Sequence, residues 1–208
     1  MIEVLNGLKY TSHLIFHPFD GFWDLKHEKR GNLKAAVVII VLLCITFILR
    51  RQMTGFIFNL SDPDELNIVN EILSVILPFA LWCVSNWCLT SLMEGEGSFK
   101  DIIITSAFAL TPLILVNVPL LFISNALTIH EGAFYHFFNS LAVLWAGVLL
   151  ILGTMVLHQY TLTRTLLTSI FIVVGMGVII FIGLLFFSML QQMFAFVYTV
   201  YLEISLRM

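Results

Sequence analysis

The sequence predicts an all-α fold: a polytopic integral membrane bundle of five transmembrane helices, N-terminus cytoplasmic and C-terminus outside. Three observations lead there. The 208 residues are 60% hydrophobic and only 11% charged, where soluble domains carry about 25% charge. Five apolar runs are each long enough to approach or exceed the width of a hydrocarbon core, about 20 residues at 1.5 Å each. None of the runs alternates strictly, and each is too long for a barrel strand, so helices satisfy their backbone groups.

Residues 1–33 read as a cytoplasmic amphipathic segment. Its apolar residues Ile2, Leu5, Leu8, Ile15, Phe16, Phe19, Phe22, Trp23 and Leu25 stand among Lys9, Lys26, Lys29 and Arg30. That mixture suits an interfacial stretch whose bases meet anionic lipid and whose Trp23 sits in the aromatic belt. His13 and His17 are spaced like a metal pair, but Pro18 turns His17 away from helical geometry and no third ligand has firm spacing. No metal is expected.

The spanning domain, residues 34–190, follows. Its first run is 35–49, opened by Lys34 and closed by Arg50 and Arg51, whose stems reach along the lipid boundary. The others cover about 72–93, 102–124, 138–157 and 166–190. Cys44, Cys83 and Cys88 all lie inside such runs without metal spacing and read as small hydrophobes. Residues 191–208 form an aromatic tail with Phe194, Phe196, Tyr198 and Tyr201, either extending the last helix or lying on the outer leaflet.

Orientation comes from the basic residues. With the N-terminus inside, seven are inner (Lys9, Lys26, Lys29, Arg30, Lys34, Lys100 and Arg164) and three are outer (Arg50, Arg51 and Arg207). The double arginine on the outer side is the awkward feature. It marks either a helix that projects beyond the membrane or a charge pair held by a partner.

The inner connection between the second and third runs, MEGEGSFKD at residues 93–101, reads as a helix stop followed by a helix start. Gly95 or Gly97 is expected to take the left-handed conformation that ends a helix. Ser98 and Asp101 form a capping box for the third helix, and Glu94 and Glu96 lie near its positive end. So short a turn makes the two helices antiparallel neighbours. In the third run, Pro112 and Pro119 flank Asn117 and free the carbonyls of Phe108 and Leu115. Those carbonyls need partners within the protein, which predicts a kinked, central helix with Asn117 bonding across the bundle.

Those same residues carry a resemblance. His17-Pro18-Phe19-Asp20-Gly21-Phe22-Trp23, then Trp87, the turn Gly95-Glu96-Gly97-Ser98-Phe99-Lys100, and Ala109-Leu110-Thr111-Pro112 resemble the Ypt-interacting-protein (YIP domain) family of five-span membrane proteins. The resemblance runs from about His17 to Leu190. It implies a five-helix bundle with a cytosolic N-terminus and an outer C-terminus, in agreement with the count of bases. Eukaryotic members act in vesicle trafficking and contact small GTPases and one another. This chain has an N-terminal region of about 33 residues where they have a long arm, and it lacks their Asp-Leu-Tyr-Gly-Pro motif. It therefore looks like a short prokaryotic member in a cell membrane, and a small GTPase is not the partner expected.

Surface chemistry sets the functional expectation. Arg50 and Arg51 face a loop bearing Asp62, Asp64, Glu65 and Glu71, with Phe56, Ile57 and Phe58 between. This reads as surface ion pairs or as a docking face. His158, Gln159, Tyr160 and Arg164 read as a solvated inner turn capped by Thr161 or Thr163. No set of nucleophile, base and orienting group is present, nor a phosphate loop or zinc motif, so no catalysis and no cofactor are expected. Without a basic soluble surface, nucleic-acid binding is excluded. The expected role is a non-enzymatic accessory subunit, scaffold or assembly factor for other integral membrane proteins, a transport complex among them. The alternative is a self-associating protein that shapes or organises lipid. A small transporter or channel ranks third, because no acid lies mid-span and no internal repeat is visible.

Overall fold

A computed structural model describes residues 2–28, 31–55 and 67–207. Phe56, Ile57, Phe58, Asp62, Asp64 and Glu65 lie outside the described residues. Eight α-helices follow one another among those described: α1 (Ile2–Phe16), α2 (Pro18–His27), α3 (Leu33–Met53), α4 (Ile68–Leu92), α5 (Phe99–Ala109), α6 (Thr111–Ser124), α7 (Gly132–His158) and α8 (Leu162–Arg207). Taking α5 and α6 as one span, five stretches are long and apolar enough to cross a membrane: α3, α4, α5–α6, α7 and α8.

The N-terminal segment is built into the bundle. Pro18 begins α2 straight after α1, and the two helices cross so closely that a Cβ on Gly21 would stand 2.9 Å from the Leu14 Cα. Leu14, Phe22 and Leu25 then join Ala35, Ile39 and Phe108 in one buried core. α1 packs on α3, and α2 packs on α7. Phe16, Phe19 and Trp23 remain exposed on the far side, with Trp23 stacked on His27 at 3.8 Å. The hairpin thus has a core-facing and an outward-facing apolar surface.

The third span is broken where a proline forces it. α5 ends at Ala109, and Pro112 lies in the first turn of α6. Its ring removes the amide that would serve the Phe108 carbonyl. The Thr111 hydroxyl takes over, donating to Phe108 O at 2.7 Å. Ala109, Thr111 and Pro112 at the joint are buried in protein, as an irregular backbone at membrane depth requires. A further proline, Pro78, sits inside α4. It borders an apolar cavity of about 260 Å³ that also touches Leu110, at the joint.

α8 takes the first of the two courses open to the tail, extension of the last helix. One uninterrupted helix of 46 residues absorbs the tail of residues 191–208. Its inner half is clamped to α4, where Ser85 Oγ donates to Ile172 O at 2.7 Å and a Cβ on Gly175 would meet that hydroxyl at 2.5 Å. Small residues allow such close approach between spanning helices. Beyond Gly183 nearly every described side chain is exposed.

Candidate functional site

Two polar clusters sit at opposite ends of the bundle. The outer one begins with α3, which runs on through Arg50 and Arg51 to Met53. Successive residues of an α-helix are rotated by about 100°, so neighbouring arginines point in different directions. Arg51 turns toward α4 and pairs with Glu71 at 3.4 Å. Arg50 turns inward. Its Nη1 donates to Asn139 Oδ1 of α7 at 3.0 Å and more weakly to Asn117 Oδ1 of α6 at 3.4 Å, and the guanidinium lies 5.8 Å from the Phe47 ring centroid.

Asn117 is buried and is fixed by its own helix, Nδ2 donating to Leu113 O at 2.7 Å. Its carboxamide oxygen is therefore aimed at the arginine. Just above, the Gly55 amide donates to Ser124 Oγ at 3.0 Å and Asn125 Nδ2 donates to Met53 O at 2.9 Å. These bonds tie the end of α3 to the end of α6 and hold Arg50 in register. Of the residues offered as a docking face, Arg50 and Arg51 are thus separated rather than joined.

At the inner cluster, the turn 93–101 docks on the corner between α7 and α8. The capping box is formed: Ser98 Oγ accepts from the Asp101 amide, and the Asp101 carboxylate accepts from the Ser98 amide. The glycine expectation is corrected. No glycine among the described residues has a positive φ; Glu94 takes the left-handed conformation at φ 58. The helix of α4 ends one residue earlier than a glycine cap requires, because the Gly95 amide reaches back to Thr90 O at 2.8 Å. Gly95 and Gly97 are needed for space instead. A Cβ on Gly95 would lie 2.5 Å from His158 Nδ1, and one on Gly97 2.8 Å from His158 Cε1.

His158 corrects a second expectation. The imidazole is 2% exposed, not part of a solvated turn. Gln159, at φ 55, ends α7 in the left-handed conformation and lets Tyr160 fold back, its ring stacked on His158 at 5.5 Å. Gly97 donates its amide to His158 Nδ1 at 3.3 Å. That bond assigns the proton to Nε2, which is buried and has no partner among the described residues. Tyr160 Oη donates to Met93 O at 3.0 Å, Arg164 donates to the same carbonyl, and the Arg164 guanidinium covers the Tyr160 ring at 4.5 Å. A cation at the last carbonyls of α4 also suits that helix end's negative pole.

Burial pushes the Tyr160 phenol above its ordinary range; Arg164 draws it partly back and Glu94 pushes it up further. Lys26 Nζ of α2 meets Glu96 at 2.9 Å and fastens the N-terminal hairpin to the same turn. The cluster is a structural latch: apart from His158 Nε2, these polar groups engage one another. Among the described residues no three metal-ligating side chains converge.

Bundle and clusters together define a class, a multi-pass integral membrane protein of five spanning helices. The sequence model of the Yip1 domain matches residues 12–184, so the chain belongs to the Yip1 family. No curated protein and no solved structure matches it.

Proposed function

We propose that the protein is a non-enzymatic membrane protein that works through other membrane proteins, as an accessory subunit, scaffold or assembly factor. α8 is the observation that carries this reading. Its 46 residues span about 69 Å at 1.5 Å per residue, against a hydrocarbon core of about 30 Å. Yet Met193, Phe194, Phe196 and Tyr201, past the apolar run 166–190, are all exposed. Apolar side chains beyond the reach of lipid call for protein cover. A transport complex is a fitting host, since its spanning subunits would supply long apolar helices. The chain carries no Asp-Leu-Tyr-Gly-Pro motif, which supports a prokaryotic cell membrane as its location.

Co-purification from native membranes in a mild detergent, followed by mass spectrometry, tests this. A stoichiometric partner is expected, and it is lost when residues 191–208 are removed. Recovery of a lone monomer from native membranes would sink the reading.

A second reading, membrane shaping through self-association, is favoured by the exposed triad Phe16, Phe19 and Trp23 on the hairpin. Deleting the hairpin would also remove the core residues Leu14, Phe22 and Leu25. The cleaner variant replaces the three aromatics by serine. Liposome remodelling that survives this change would end the second reading.

A further inference from the structure

We infer that Arg50 marks a docking groove for a partner's spanning helix that carries a carboxylate in its outer half. This rests on the reading that the protein works through other membrane proteins, and it names the chemistry of the contact.

The groove follows from the packing. α3 and α7 both pack on α6, and on the inner half the α1–α2 hairpin closes over the same side, α1 against α3 and α2 against α7. Toward the outer end no described helix takes that place. Arg50 from α3 and Asn139 from α7 meet there above Asn117 of α6, and both Arg50 and Asn139 are partly exposed.

Among the described residues the guanidinium has neutral company only. Its Nη1 meets two carboxamide oxygens, and Nε and Nη2 have no acceptor among the described residues. Glu71 of α4 is engaged with Arg51. Charged groups within spans pair with one another or with a partner, and arginine presents a fork that fits a carboxylate with two parallel bonds.

Depth selects the occupant. Asn117 lies between five and six residues from the middle of the span Phe99–Ser124, and Asn139 six from the middle of Gly132–His158. At 1.5 Å per residue both stand about 8–9 Å from mid-membrane. Lipid phosphates lie beyond the hydrocarbon edge, about 15 Å from the middle. A side-chain carboxylate on a spanning helix reaches Arg50 where a phosphate does not.

The test uses the full chain in nanodiscs with a labelled Leu/Ala spanning peptide bearing one Glu about 9 Å from its midpoint. Energy transfer should show the Glu peptide binding roughly tenfold or more tightly than its Gln counterpart. Arg50→Gln should erase that preference, and Arg50→Lys should keep part of it. The lysine variant, with helicity checked by circular dichroism, guards against a folding defect in Arg50→Gln. Equal binding of both peptides by the wild type overturns the inference. So does a Glu preference that emerges only after Asp62→Asn, Asp64→Asn and Glu65→Gln, because the chain's own acids would then be the counter-charge. A native partner that still co-purifies with Arg50→Gln would overturn this groove alone. Absence of both a selective peptide and a native partner would overturn the groove and the proposed function together.

Discussion

The Gly97 amide donates to His158 Nδ1 at 3.3 Å, joining the turn after α4 to the last residue of α7 across 61 positions of sequence. The bond needs both partners as they are. A Cβ on Gly97 would reach within 2.8 Å of the imidazole and of Leu157, and one on Gly95 would press on His158, Thr90 and Tyr160. Gly95→Ala and Gly97→Ala should therefore each destabilise the bundle by about 1–3 kcal/mol, the range of overpacked cores. Detergent-solubilised thermal unfolding measures it. Pairing either change with His158→Ala should recover part of the loss; strictly additive losses would contradict the clash.

Ser98→Ala removes the acceptor for the Asp101 amide and leaves the carboxylate end of the box intact. A loss of about 1 kcal/mol is expected, typical of an N-cap. Ser98→Thr should retain most of the stability, since its hydroxyl can both accept from the Asp101 amide and donate to the Asp101 carboxylate. If alanine and threonine behave alike, the cap contributes nothing to the span.

Tyr160 gives the latch a signature in pH. Its folded-state phenol titrates above the unfolded value, so its contribution is complete below the ordinary tyrosine range. As pH rises past the unfolded value toward the folded one, that contribution disappears, because the unfolded chain gives up its proton first. Alkaline unfolding of the wild type should show this loss, and Tyr160→Phe should lack it. Parallel pH profiles for the two proteins would remove Tyr160 from the latch.

Lys26 and Glu96 bridge the hairpin and the turn at 2.9 Å, with the glutamate side chain 56% exposed. An exposed pair is worth about 0–1 kcal/mol. Lys26→Gln or Glu96→Gln should shift stability within that range, and less in high salt. A larger effect, insensitive to salt, would mean that the pair positions the turn rather than merely covering it.

Gly175→Val should separate α8 from α4, because its side chain would occupy the space of Ser85 Oγ. Ser85→Ala leaves the helices in place and removes only the bond to Ile172 O. Its expected loss is about 0.6 kcal/mol, the average for hydrogen bonds between spanning helices. Cysteine cross-linking between α4 and α8 distinguishes the two: it should weaken for the valine variant and persist for the alanine.

Much of this protein was legible in the sequence because lipid imposes so few solutions. Runs of apolar residues near 20 long must be helices, and five of them could be counted. Pro112 had to break the third span, since a ring cannot donate an amide, and Ser98 with Asp101 had to start it. These are local consequences, fixed by residues a few positions apart. Tertiary structure decided the rest, because it turned on which distant groups meet. Nothing local separates Arg50 from Arg51; only the position of α6 and α7 turns one inward to Asn117 and Asn139 and leaves the other to Glu71. His158 reads as a loop residue until Gly97 and Tyr160 enclose it, and the glycines of the turn read as conformational until that ring is seen to fill their missing side chains. The hairpin reads as surface because its apolar residues outnumber one face, and packing alone divides them between Leu14 in the core and Phe16 in the open. Chain chemistry set the helices, and burial, which depends on neighbours far away in sequence, set what each polar group does.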